Sequence, residues 1–87
     1  MIYGTSYKVQ IITVEYHNPD NRRYDGIKNL GLKLNTEYIQ DKGWTRVLLG
    51  TFRTESEAKS VLENARSVGF KRAYIVRYLD GQRNGRL

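Results

Sequence analysis

Apolar and polar residues divide the stretch from Tyr7 to Tyr16 into two unlike sides, with Val9 and Ile11 on one and Lys8, Gln10 and Ile12 on the other. The run is rich in β-branched residues and predicts a first strand. The turn-forming sequence His17-Asn18-Pro19-Asp20-Asn21 ends it. From Arg22 to Leu30 the pattern changes period. Tyr24, Ile27 and Leu30 share one face of a short helix, which Asp20 or Asn21 can cap and Gly31 can close, although Gly26 inside it lowers helix propensity. Leu32 to Gln40 is extended, with Leu32 and Leu34 set against Lys33 and Asn35. The alternation breaks near Tyr38-Ile39 and leaves the register open, with room for a bulge. Asp41-Lys42-Gly43 is a hairpin turn into a third strand, Trp44 to Leu49.

The second helix has the clearest signature. Thr54 followed three residues later by Glu57 makes a capping box, and Ala58, Val61, Leu62, Ala65 and Val68 follow as a stripe at helical spacing that ends at Gly69. Arg72 to Leu79 predicts a last strand, and the polar residues from Asp80 onward a flexible tail. The elements run β-α-β-β-α-β. The expectation is therefore a single α+β domain over residues 1–87, with a core of about 7–79 and a tail of 80–87. Its architecture would be a four-stranded antiparallel sheet with two helices on one face, RNP-like or ferredoxin-like, and the other face open.

Parity along the strands says what that open face carries. If Val47 and Leu49 point to the helices, Trp44, Arg46 and Leu48 point away. Likewise Val9 and Ile11 leave Gln10 and Ile12 outward, and Ile75 leaves Tyr74, Val76 and Tyr78 outward. This is an aromatic platform with amide and cationic groups, suited to an anionic polymer.

Charge sharpens that expectation. The 87 residues carry a net charge of +6, a field that favours nucleic acid, anionic lipid or an acidic polysaccharide. There is no cysteine, which excludes disulfides, thiolate metal sites and cysteine nucleophiles. No apolar run reaches the length of a membrane span. Met1 to Ser6 lacks the basic start and apolar stretch of a signal peptide, so a role outside the cytoplasm implies a domain of a longer exported protein. The lone His17 sits in a turn, and the carboxylates Glu15, Glu37, Asp41 and Glu63 are scattered. No acid/base pair, phosphate loop or metal-ligand set emerges, and neither a catalytic residue nor a cofactor is expected.

Several of these residues together are similar to a known family. Val9-Gln10 in the first strand, Arg46-Val47 in the third, and Gly50-Thr51-Phe52 before the Thr54-capped helix with Glu57-Ala58 resemble the SPOR (sporulation-related repeat) domain. Leu62, Gly69-Phe70 and Ala73-Tyr74-Ile75-Val76 extend the likeness, which covers roughly Tyr7 to Tyr78. The chain departs from the family pattern at Thr51, where proline is frequent, at Ile12, where glycine is usual, and in a first helix without the usual Asn-Ala start. The resemblance implies non-catalytic binding of peptidoglycan glycan strands, denuded of their stem peptides, by the sheet. It also implies a periplasmic or cell-envelope location and targeting of a parent protein to the division septum. Gln10 and Arg46 are the site residues that it brings; Ile12, Trp44, Leu48, Tyr74 and Tyr78 come from strand parity.

An RNA-binding module of the RNA-recognition-motif type is the principal alternative, since it shares the element order, the basic balance and sheet aromatics. Its third strand should carry stacking aromatics, whereas Arg46-Val47-Leu48-Leu49 is largely aliphatic, so nucleic acid is not the expected partner. A module that binds only protein is the third possibility.

Overall fold

In a computed structural model describing residues 4–87, the elements are β1 (Thr5–Val14), a 3-10 turn (Arg22–Tyr24) continuing into α1 (Asp25–Asn29), β2 (Leu34–Ile39), β3 (Trp44–Phe52), α2 (Glu55–Ser67), β4 (Tyr74–Leu79) and β5 (Gln82–Arg86). Met1 to Tyr3, part of the segment read for a leader, lie outside the described residues. All strand pairs are antiparallel, in the order β2-β3-β1-β4-β5. The α+β expectation holds, but the sheet has five strands rather than four. The fifth comes from the segment expected to be a flexible tail. Asp80, with φ +50°, and Gly81 turn the chain back so that Val76 pairs with Arg86 and Leu79 with Gln82. The polarity of 82–86 hid this strand, because an edge strand with one wet side needs few apolar residues.

One face of the sheet meets the helices. Val9, Ile11, Val47, Leu49 and Ile75 pack with Tyr24, Ile27, Ala58, Ala65 and Phe70. Full burial of a Val or Ile side chain is worth about 1.5–3 kcal/mol. The Tyr24 and Phe70 rings stack with centroids 6.0 Å apart, and burial pushes the Tyr24 phenol pKa up despite the opposing charge of Arg23.

The first helix is shorter than its periodicity implies. Asn21 caps the 3-10 turn by accepting from the Arg23 amide at 3.0 Å, and α1 spans only one turn and a half. Leu30, expected on the buried face, is 44% exposed, and Leu32 packs against the core instead. Gly26 is required by packing: a Cβ there would lie 2.7 Å from Val68 Cβ at the end of α2. In α2, Thr54 Oγ1 accepts from the Glu57 amide at 3.1 Å as the capping box predicts. The Glu57 carboxylate, however, accepts a hydrogen bond from the Thr54 hydroxyl, at 3.1 Å, instead of from the Thr54 amide.

Two irregularities on the β1–β3 ladder set which way side chains point. Gln10 opposes Leu48 while Ile12 opposes Val47, so Ile11 is an extra residue and both isoleucines turn toward the helices. Ile12 is therefore on the helix side, contrary to simple alternation. On β3 Gly50 and Thr51 together face the single residue Lys8, one extra residue between the Val9–Leu49 and Tyr7–Phe52 pairs. Gly50 has φ +139°, and a Cβ on it would come within 3.2 Å of the Tyr7 carbonyl oxygen and 3.3 Å of Lys8 Cα. A glycine is needed there for both conformation and space.

Candidate functional site: the helix-free face of the sheet

The strand register places Gln10, Thr13, Trp44, Arg46, Leu48, Tyr74 and Tyr78 on the side away from the helices, joined by Asn35 and Glu37 of β2, Lys8 of β1, and Arg83 and Arg86 of β5. This face is not bare. Leu48 and Val76 are completely buried, and Tyr78 is 3% and Gln10 5% exposed, yet none of the four belongs to the helix-side core. The cover is made of charged side chains whose stems lie across the apolar floor. Gln10, expected open to solvent, has the Arg83 guanidinium above it: Arg83 donates to Gln10 Oε1 at 2.6 Å, and Gln10 Nε2 donates to Thr13 Oγ1 at 3.1 Å.

Glu37 is the hub of the cover. Its Oε1 lies 3.2 Å from Arg83 and 3.6 Å from Arg46; its Oε2 lies 3.7 Å from Lys8 and accepts the Tyr78 hydroxyl. These side chains come from all five strands: Lys8 from β1, Glu37 from β2, Arg46 from β3, Tyr78 from β4 and Arg83 from β5. Glu37 and Arg83 sit on opposite edges, about 19 Å apart in a flat sheet of this width. Their contact therefore requires the sheet to curl toward this side, in keeping with the twist of β-sheets. Three cations face one carboxylate, so the face keeps a positive excess. Their side chains are 22–29% exposed, accessible to solvent and to a solute.

Burial pushes the Tyr78 phenol pKa far up, helped by its hydrogen bond to Glu37 and the negative charge there. Through the neutral range it is a fixed donor.

The aromatics do not form one platform. Lys8 Nζ lies 4.8 Å from the Tyr78 ring centroid and the Arg86 guanidinium 4.0 Å from that of Tyr74, so both rings hold cations on a face. Trp44, at the start of β3 opposite Ile39, is 41% exposed, so part of its side chain is open to solvent at the rim. Beside Gln10, a cleft of about 330 Å³ is lined by Ile11, Ile12, Thr13, Arg72 and Tyr74, where β1 runs on past the start of β4. Ile12 reaches only this edge from the helix side.

Sequence reasoning thus brought Gln10, Arg46, Trp44, Leu48, Tyr74 and Tyr78 to one face, set Lys8 beside Gln10 without naming it a site residue, and missed Glu37, Arg83 and Arg86. Lys8 was legible from its parity with Gln10. Glu37 lies in the strand whose register was open, and the two arginines lie in the strand that had no apolar signal. Among the described residues no group of His, Asp and Glu side chains is arranged to hold a metal ion, and no helix is long and apolar enough to cross a membrane.

The family model described as SPOR domain matches residues 3–77 of the chain. No curated protein and no solved structure matches. SPOR domains are peptidoglycan-binding domains found in periplasmic and cell-envelope division proteins.

Proposed function

We propose, from the premise that the chain belongs to the SPOR domain family of peptidoglycan-binding domains, that its helix-free face binds glycan strands denuded of stem peptides and that it does so without catalysis. The observation that carries this reading is the convergence of Lys8, Arg46 and Arg83 on one accessible face, in excess over Glu37. Removal of the stem peptide from muramic acid leaves a free lactyl carboxylate, whereas an intact strand has an amide there. Cations with N–H donors distinguish the two by charge and by charge-assisted hydrogen bonds.

In this reading Arg46, Arg83 and Lys8 bind the carboxylates, and Trp44 lies against a sugar face or an acetamido methyl. Gln10 acts chiefly by holding Arg83, with its edge reachable from the cleft beside Thr13 and Tyr74. Leu48 and the Tyr78 ring are the floor beneath these groups. Denuded strands arise where amidases cut septal peptidoglycan, so the domain would direct a longer exported parent protein to the division septum.

Co-sedimentation tests the proposal. The protein is expected to pellet with amidase-treated sacculi and much less with untreated ones. Equal pelleting with both would remove the denuded-strand specificity. Tight RNA binding at physiological salt, with no pelleting on either, would favour the nucleic-acid alternative.

A further inference from the structure

Glu37 holds, in the free protein, the position that an anionic ligand of this face needs. Each of its carboxylate oxygens is engaged: Oε1 by Arg83 and Arg46, Oε2 by Lys8 and the Tyr78 hydroxyl. All the partners are side chains, and none is a backbone group that Glu37 is needed to satisfy. We propose that Lys8, Arg46, Arg83 and Tyr78 form a carboxylate-binding cradle and that Glu37 is its exchangeable resident, displaced by the carboxylate of an acidic saccharide. The inference rests on the glycan-binding reading and adds to it the atoms that meet the carboxylate and the residue that competes for them.

Three features make Glu37 exchangeable rather than structural. Its contacts to Arg46 and Lys8 are 3.6 and 3.7 Å, beyond good hydrogen-bond distance, so these are loose ion pairs of the kind that contribute little to stability. Its side chain is 25% exposed on an edge strand, so it can swing into water without leaving a buried unpaired charge. Part of the cradle is also supported independently of Glu37. Arg83 remains oriented by Gln10 at 2.6 Å, Lys8 lies over the Tyr78 ring, and the protonated Tyr78 phenol can donate to any carboxylate that arrives.

Exchange has a functional consequence. A neutral saccharide offers nothing to replace Glu37 and leaves the cradle occupied. An acidic one must displace Glu37 to enter the cradle, so Glu37 lowers the affinity for carboxylate-bearing saccharides and leaves that for neutral ones little changed.

The test uses two oligosaccharides of equal length, a neutral N-acetylglucosamine oligomer and a peptide-free oligomer of N-acetylglucosamine and N-acetylmuramic acid. Each is titrated calorimetrically into wild type and Glu37→Gln, after thermal melts establish that the variant is folded. Glu37→Gln is expected to bind the acidic oligomer about three- to fivefold more tightly than wild type, with little change for the neutral one. Wild-type binding with no gain in the variant overturns the exchange alone. A wild type that binds neither oligomer overturns the glycan reading and the exchange with it. A second readout needs no substitution: the Glu37 side-chain carboxylate resonance of wild type should shift on saturation with the acidic oligomer. If that resonance stays fixed while sheet amides move, the exchange is overturned.

Discussion

Tyr78 joins a buried ring to a polar rim, and its phenol should govern the alkaline behaviour of the protein. Its pKa lies well above that of an ordinary tyrosine because burial and the Glu37 carboxylate both disfavour the phenolate. A group whose folded pKa exceeds its unfolded value stabilises fully below the unfolded pKa and loses that contribution as pH rises toward the folded one. Stability is therefore expected to fall from about pH 10 upward, near the unfolded tyrosine pKa. Tyr78→Phe should flatten the decline, and denaturant unfolding at pH 8, 10 and 11 checks it. A decline unchanged in the variant would mean that other groups cause it. At neutral pH the same substitution should cost about 1 kcal/mol, the net worth of one hydrogen bond. Arg46 is a test of binding, not stability. Arg46→Ala should weaken pelleting with amidase-treated sacculi about tenfold, as loss of one charge-assisted hydrogen bond implies, and leave the melting temperature within a few degrees.

Among the elements, the two helices make opposite predictions about small changes. Thr54→Ala removes the acceptor for the Glu57 amide at the start of α2 and should destabilise by about 1 kcal/mol in denaturant unfolding. Gly26→Ala is the sharper case. Propensity alone says that alanine in a helix should stabilise by up to about 1 kcal/mol. The Val68 Cβ at 2.7 Å says the reverse, and a loss of about 1–3 kcal/mol is expected from overpacking. A more stable Gly26→Ala variant would refute the close approach of α1 and α2. Both helix ends carried local signals, and Thr54, Glu57 and the α2 stripe were readable because each interaction lies within a few residues. The partner of Gly26 is 42 residues away in sequence, and no local pattern records it. The same distinction explains Ile12. Alternation sends it outward, and only the pairing of β1 with β3, a non-local fact, shows that Ile11 is an extra residue. The fifth strand was illegible for a different reason: its residues are polar because they contribute guanidinium groups to the helix-free face and little to the helix-side core.

At the scale of the whole molecule, that fifth strand changes what the face is. Without β5, Gln10 would lose the guanidinium bonded to its side-chain oxygen, and Tyr74 the cation on its ring. Truncation after Leu79 should expose the floor residues, lower stability by several kcal/mol as apolar area becomes wet, and reduce glycan binding together with it. Binding by the intact protein should weaken steeply as salt rises, since its +6 charge and the accessible cations act through screened electrostatics. The family resemblance, the α+β class and the orientation of Gln10, Arg46 and Trp44 were legible in the sequence. The charged cover was not, because it is assembled from one side chain on each of five strands.

The most direct measurement is amide chemical-shift mapping of the wild-type protein during titration with a peptide-free glycan oligomer. The predicted perturbations cluster on Lys8, Gln10, Trp44, Arg46 and Arg83, with α1 and the exposed side of α2 unchanged. Perturbations centred on the helices, with those five amides still, would contradict the account.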